Sequence, residues 1–218
     1  MYAGKYIIGV TGPIGAGKST VIRILRELGA DAIDADQVAH EVMEPGGAAY
    51  RAVVEAFGPG ILTDNGRIDR ARLAQIVFRD PEALKRLESI VHPAVFEEIK
   101  RRIEASDRAV IALEAIKLLE AGLSITICDE VWVVVADPQV QMRRLRERGM
   151  DEGEARRRMA AQLPREAYVR RADVVIDNSG SLEALRQQVE RVWQRVLSRV
   201  EGYLSPAAHT QEERRGDI

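Results

Sequence analysis

Apolar residues follow two rhythms along this chain. Short runs at Tyr6 to Thr11, Ala32 to Asp36, Ala109 to Leu113, Val131 to Ala136 and Ala172 to Ile176 are too brief for helices and read as strands, the longer ones buried on both faces. Between them apolar positions recur every three or four residues, the period of a helix with one buried side. That spacing predicts helices over Gly17 to Leu28, Gln37 to Met43, Ala48 to Phe57, Arg70 to Phe78, Pro138 to Arg148 and Leu182 to Val200. Asp69 and the pair Asp80-Pro81 are helix-start residues, while Gly29 and Gly149 are stops. The helix opened by Asp80-Pro81 is expected to break at His92-Pro93 and resume from Ala94 to Glu104, because proline disfavours helical backbone at the residue before it. Ile61 to Ile68 reads as a small excursion around the Asn65-Gly66 turn.

Strands alternating with helices predict an α/β chain with a parallel sheet flanked by helices. The stretch between the second and third strands is far longer than a crossover needs. Residues 37–105 are therefore expected to form a helical subdomain for a second substrate, with a nucleotide-binding core built from residues 1–36, 106–138 and 172–201. Residues 139–171 are expected to form a lid, Ile116 to Leu123 a short helical cover, and residues 202–218 a disordered tail.

The chemistry begins at Gly12-Pro13-Ile14-Gly15-Ala16-Gly17-Lys18-Ser19-Thr20, which fits G-x-x-x-x-G-K-[ST] and lies between the first strand and the first helix. Such a loop turns successive backbone N–H groups inward, and the helix that follows adds unpaired N–H groups and the positive end of its dipole. Gly15 to Thr20 are thus candidate phosphate ligands, Lys18 a charge for the outer phosphates, and Ser19 a hydroxyl ligand for magnesium. A glycine turn that merely joined strand to helix would have no use for Lys-Ser-Thr.

Parallel strands end on one edge, so the second strand brings Asp34 and Asp36 beside the phosphates. In extended backbone the two would point the same way, and either is a candidate for accepting a proton from an attacking hydroxyl; the alternative is a cap on the next helix. Glu114 ends the third strand on this edge, where an acid either orders magnesium and water or pairs with an arginine. Residues 139–171 hold ten arginines against five acids, although the 218-residue chain has a net charge of −2. Arg148 and Arg158 fall at the end of one helix and inside the next, placed to close on a transferring phosphoryl group. Only Tyr168 supplies an aromatic among these arginines, which argues against single-stranded nucleic acid as a ligand.

Composition adds little beyond limits. With 46% hydrophobic and 30% charged residues, a soluble domain with a sizeable core is expected. Its longest apolar run is too short to span a bilayer, and a cytoplasmic protein with no membrane or obligatory protein partner is expected. Cys128 is the single cysteine and, among Ile125, Ile127 and Val131, reads as a packed thiol.

Together the phosphate loop, Ile33-Asp34-Ala35-Asp36-Gln37-Val38-Ala39-His40, Gly66-Arg67-Ile68-Asp69-Arg70 with Leu73 and Val77-Phe78, Ile90-Val91-His92-Pro93 and Asp173-Val174-Val175-Ile176-Asp177-Asn178-Ser179-Gly180 resemble the dephospho-CoA kinase family. The resemblance runs from residue 5 to about 200. It implies a P-loop NTPase fold with a five-stranded parallel sheet, a helical domain for the coenzyme substrate and a mobile lid. It also implies transfer of the γ-phosphate of ATP, with Mg2+, to the ribose 3′-hydroxyl of dephospho-CoA. Carried over by position, Asp36 is the base with Asp34 close by, Arg70 and His92 face the substrate, Arg148 and Arg158 are lid arginines, and Asn178 lies near adenine. The chain departs from the family at Ile116-Lys117-Leu118-Leu119-Glu120, where Pro-Leu-Leu-Phe-Glu is frequent, and at Tyr168, where a lid lysine is frequent. Another small-molecule or nucleoside monophosphate kinase would share the loop and lid. A GTPase-type switch would need N-K-x-D, which is absent.

Overall fold

The computed structural model describes residues 1–115 and 124–204. Five parallel strands, β1 (Tyr6–Thr11), β2 (Asp31–Asp34), β3 (Val110–Glu114), β4 (Glu130–Val135) and β5 (Val174–Asp177), form one sheet in the order β2-β3-β1-β4-β5. The helices are α1 (Lys18–Glu27), α2 (Ala35–Glu41), α3 (Tyr50–Phe57), α4 (Arg70–Arg79), α5 (Pro81–Ala105), α6 (Pro138–Glu147), α7 (Glu152–Ala160), α8 (Arg165–Val169) and α9 (Leu182–Leu204).

Strand alternation sorts the side chains into two cores. Ile7, Ile111, Leu113, Val131 and Val133 face one side, where residues of α2 to α5 and Tyr168 of α8 cover them. Ile8, Val10, Ala112, Trp132 and Val134 face the other, under α1 and α9. The helical insertion therefore shares one continuous core with the sheet. Because every strand runs the same way, Thr11, Asp34, Glu114, Val135 and Asp177 all end at one edge, with β1 at the centre of the sheet.

Three expectations need correction. The second strand stops at Asp34, whose carboxylate accepts from the N–H groups of Asp36 and Gln37 and so starts α2 at Ala35. Asp34 and Asp36 consequently do not share an extended segment. The expected break at His92-Pro93 is also absent, for α5 runs through Pro93. Its buried Val91, Val95, Ile99 and Ile103 form one stripe across the proline, and packing of that stripe against neighbouring helices outweighs the one bond lost to the Ser89 carbonyl. Finally, helix continues to Leu204, past the residue 202 at which a tail was expected to begin. The short α8 carries too few residues to show a period and has no counterpart in the sequence reading. The expected cover at Ile116 to Leu123, with Lys117, and the tail from 205 lie outside the described residues.

Among the described residues no helix is long and apolar enough to cross a membrane. Burial pushes the Cys128 thiol up to about 12, so it stays a protonated, packed thiol.

Candidate active site

The loop between β1 and α1 holds its shape through contacts with distant parts of the chain. At Gly12, φ is 145° and an added Cβ would lie 2.1 Å from the Val134 carbonyl oxygen of β4. At Gly17, φ is 94° and an added Cβ would lie 2.1 Å from Nδ2 of Asn178, in the turn after β5. Only glycine fits either position. The Asn178 amide donates to the Ala16 carbonyl at 2.8 Å, and Arg144 of α6 donates to the same oxygen at 3.2 Å while also reaching the Asn178 carbonyl at 2.9 Å. With the Ala16 carbonyl held by Asn178 and Arg144, the N–H groups of Gly15, Gly17, Lys18 and Ser19 have no protein acceptor among the described residues. That is an anion site at a helix N-terminus.

Lys18 is buried, and its ammonium donates to the Gly12 carbonyl at 2.9 Å. Burial and the Arg148 guanidinium push its pKa down, against the pull of Glu114 and Asp36. A partly desolvated ammonium interacts strongly with any phosphate that enters. Glu114 is held above the usual carboxylate range, first by burial and then by Asp34 and Asp36, with Lys18 opposing. In the register of the sheet Glu114 lies level with Val10 on one side and Asp34 on the other.

A cavity of about 430 Å³ opens over the loop, lined by Gly15, Gly17, Lys18, Ser19, Glu114, Arg148, Arg158 and Gln162, among others. Residues separated by more than a hundred positions thus converge on one space. Arg148 comes from the end of α6 and Arg158 from α7, where it pairs with Glu154 at 2.6 Å. Asp34 and Asp36 do not line this cavity, yet Asp36 is close enough to act on the charges of both Lys18 and Glu114. Four residues along α2, on the face that carries Asp36, His40 accepts a hydrogen bond from the Arg70 guanidinium of α4. Arg70 therefore stands on the Asp36 side of the site, and His92 is half-buried in the middle of α5.

Magnesium suits this donor set. Among the described residues no three His, Cys, Asp or Glu side chains cluster as a metal cage, but the cavity presents the Ser19 hydroxyl and the Glu114 carboxylate. Few protein oxygens, completed by water and phosphate, are what magnesium takes.

Two contributors were not legible as such. Arg144 was one of ten arginines with nothing to mark it out, and Gln162 carried no signal at all. Tyr168, which stands where the family often has a lysine, is buried in the core beneath the insertion.

Comparison with known proteins gives the family and the fold. The family profile described as dephospho-CoA kinase matches residues 6–184. A dephospho-CoA kinase of Geobacter sulfurreducens is 48% identical over 86% of this chain and 96% of its own. A crystal structure from Thermus thermophilus superposes with a TM-score of 0.77 at 35% identity, covering 89% of this chain and 97% of that one. For a dephospho-CoA kinase from Campylobacter jejuni the TM-score is 0.66 at 27% identity, with 90% and 98% covered.

Proposed function

The chain belongs to the dephospho-CoA kinase family, and on that premise we propose how its residues divide the transfer. It is an ATP-dependent kinase with an alcohol acceptor, moving the γ-phosphoryl group of ATP to the ribose 3′-hydroxyl of dephospho-CoA to give coenzyme A and ADP.

The N–H groups of Gly15, Gly17, Lys18 and Ser19 take the β- and γ-phosphates, with Ala16 and Thr20 completing the loop that presents them, while Lys18 leaves the Gly12 carbonyl to reach the outer oxygens. Ser19 and Glu114 would hold Mg2+ and its waters, and the ion would supply charge neutralisation to the phosphates. Arg148 and Arg158 close from residues 139–171, acting as a lid over the transferring group. Asn178 serves ATP binding by bracing the loop on which the phosphates rest. Asp36 accepts the proton of the incoming hydroxyl, and Asp34, Arg70 and His92 with the helices of residues 37–105 form the acceptor side. In such a loose transition state positioning and charge account for most of the rate, and the base chiefly orients the nucleophile.

The observation that carries this reading is the meeting of the phosphate loop, two guanidiniums and Glu114 around one cavity, with Asp36 near enough to act on the charge of Lys18. Mass spectrometry of the products from Mg-ATP and dephospho-CoA tests it. Coenzyme A phosphorylated at the 3′-hydroxyl should form, and should be lost with Lys18→Ala. ATP turnover that leaves dephospho-CoA unmodified would overturn the acceptor assignment.

A further inference from the structure

The link between α7 and α8 touches the phosphate loop at one well-defined point. The backbone N–H of Ile14 donates to Oε1 of Gln162 at 2.7 Å, across 148 residues of sequence. A backbone N–H can only donate, so the atom facing it is the amide oxygen, and this fixes the orientation of the whole side-chain amide. Its NH2 group then has no protein acceptor among the described residues, and Gln162 lines the cavity together with Lys18, Arg148 and Arg158. Gln162 follows α7 by two residues, and α7 carries Arg158. The bond to Ile14 therefore exists only when that helix lies against the phosphate loop.

We propose that Gln162 is a positioning residue that latches the lid: its oxygen takes the Ile14 N–H as the arginines close, and its NH2 group is thereby turned toward the terminal phosphate. This rests on the reading of the cavity as the ATP phosphate site. The latch couples closure to transfer. With it released, Arg158 is held less well over the γ-phosphate, and water competes with the acceptor hydroxyl.

Three quantities read this out: single-turnover transfer, ATP affinity, and the ratio of ATP hydrolysis without acceptor to transfer with it. Gln162→Ala should lower transfer about three- to tenfold, the worth of the neutral hydrogen bond to Ile14, with ATP affinity changed less than twofold. The hydrolysis-to-transfer ratio should rise severalfold, which a merely structural role would not produce. Gln162→Glu separates the two ends of the amide. It keeps an acceptor for Ile14 but sets a negative charge beside the phosphates, so transfer should fall below that of the alanine variant. A role confined to fastening this link to the phosphate loop predicts the reverse order, because glutamate preserves the bond to Ile14. Wild-type transfer in Gln162→Ala, an unchanged ratio, or a glutamate variant better than alanine would each overturn the latch. Failure of the phosphate-site reading would look different, since the wild-type protein itself would then make no coenzyme A.

Discussion

Asn178 and Arg144 meet on a single atom, the carbonyl oxygen of Ala16, at 2.8 and 3.2 Å, and Arg144 also donates to the backbone carbonyl of Asn178. The phosphate loop is thus fastened from behind by the turn after β5 and by α6. Removing the amide leaves one outward carbonyl held only by Arg144. Asn178→Ala should weaken ATP binding about three- to tenfold, in line with one lost buried hydrogen bond. Calorimetric titration of ATP against the folded variant checks this, and unchanged affinity would mean that the loop keeps its shape unaided.

Gly17 tests the same bracket from the other side. Its φ of 94° is unfavourable for any side chain, and a methyl group there would run into the Asn178 amide. Gly17→Ala should cost ATP affinity a hundredfold or more, while circular dichroism shows the sheet and helices retained. Near-normal binding would contradict the close approach of loop and turn.

Glu98 makes stability depend on acidity. Hydrogen bonds from Arg101 and then Arg102 hold its carboxyl down at about 2 instead of 4.5, and Arg102 also pairs with Glu41 of α2. For a carboxylate with a depressed folded pKa, the contribution is present above 4.5 and is lost as pH falls toward 2. The pairs are partly exposed, so Glu98→Gln should cost only about 0.5 to 1 kcal/mol at pH 7. Urea unfolding at pH 7, 4 and 2.5 should show that difference shrinking, and a constant difference would put its origin elsewhere.

Pro93 is a local fault inside α5. Pro93→Ala restores a backbone N–H facing the Ser89 carbonyl, and should raise unfolding free energy by about 1 to 3 kcal/mol. A loss of stability on thermal unfolding would show that the proline ring itself contributes at this exposed position.

Much of the fold is local and was legible for that reason. Asp69 and Asp80 cap α4 and α5 through their own carboxylates, and glycine punctuation with an apolar strand marks the phosphate loop. Where local rules erred, a wider or competing interaction decided. Pro93 obeys the rule for an isolated helix poorly, but the helix around it has a buried stripe long enough to override it, and Asp34 ended its own strand by capping the next helix. The strand order and the contacts of Asn178 with Ala16 and Gln162 with Ile14 depend on which crossover packs on which face. No spacing in the sequence encodes that. Hence Lys18 and Ser19 could be named from the motif, whereas Gln162 and the bracing role of Arg144 needed the folded chain.

Asp36 is where the account commits itself most. It acts on the charges of Lys18 and Glu114, from the face of α2 that also carries His40, the partner of Arg70 in α4. The direct measurement is single-turnover phosphoryl transfer to dephospho-CoA by Asp36→Asn, with ATP affinity measured in parallel. A base that orients and deprotonates the hydroxyl predicts a fall of about a hundredfold or more in transfer, with ATP affinity changed only a few-fold. Transfer within a few-fold of wild type would contradict that role and leave positioning by the phosphate loop and lid to account for the reaction.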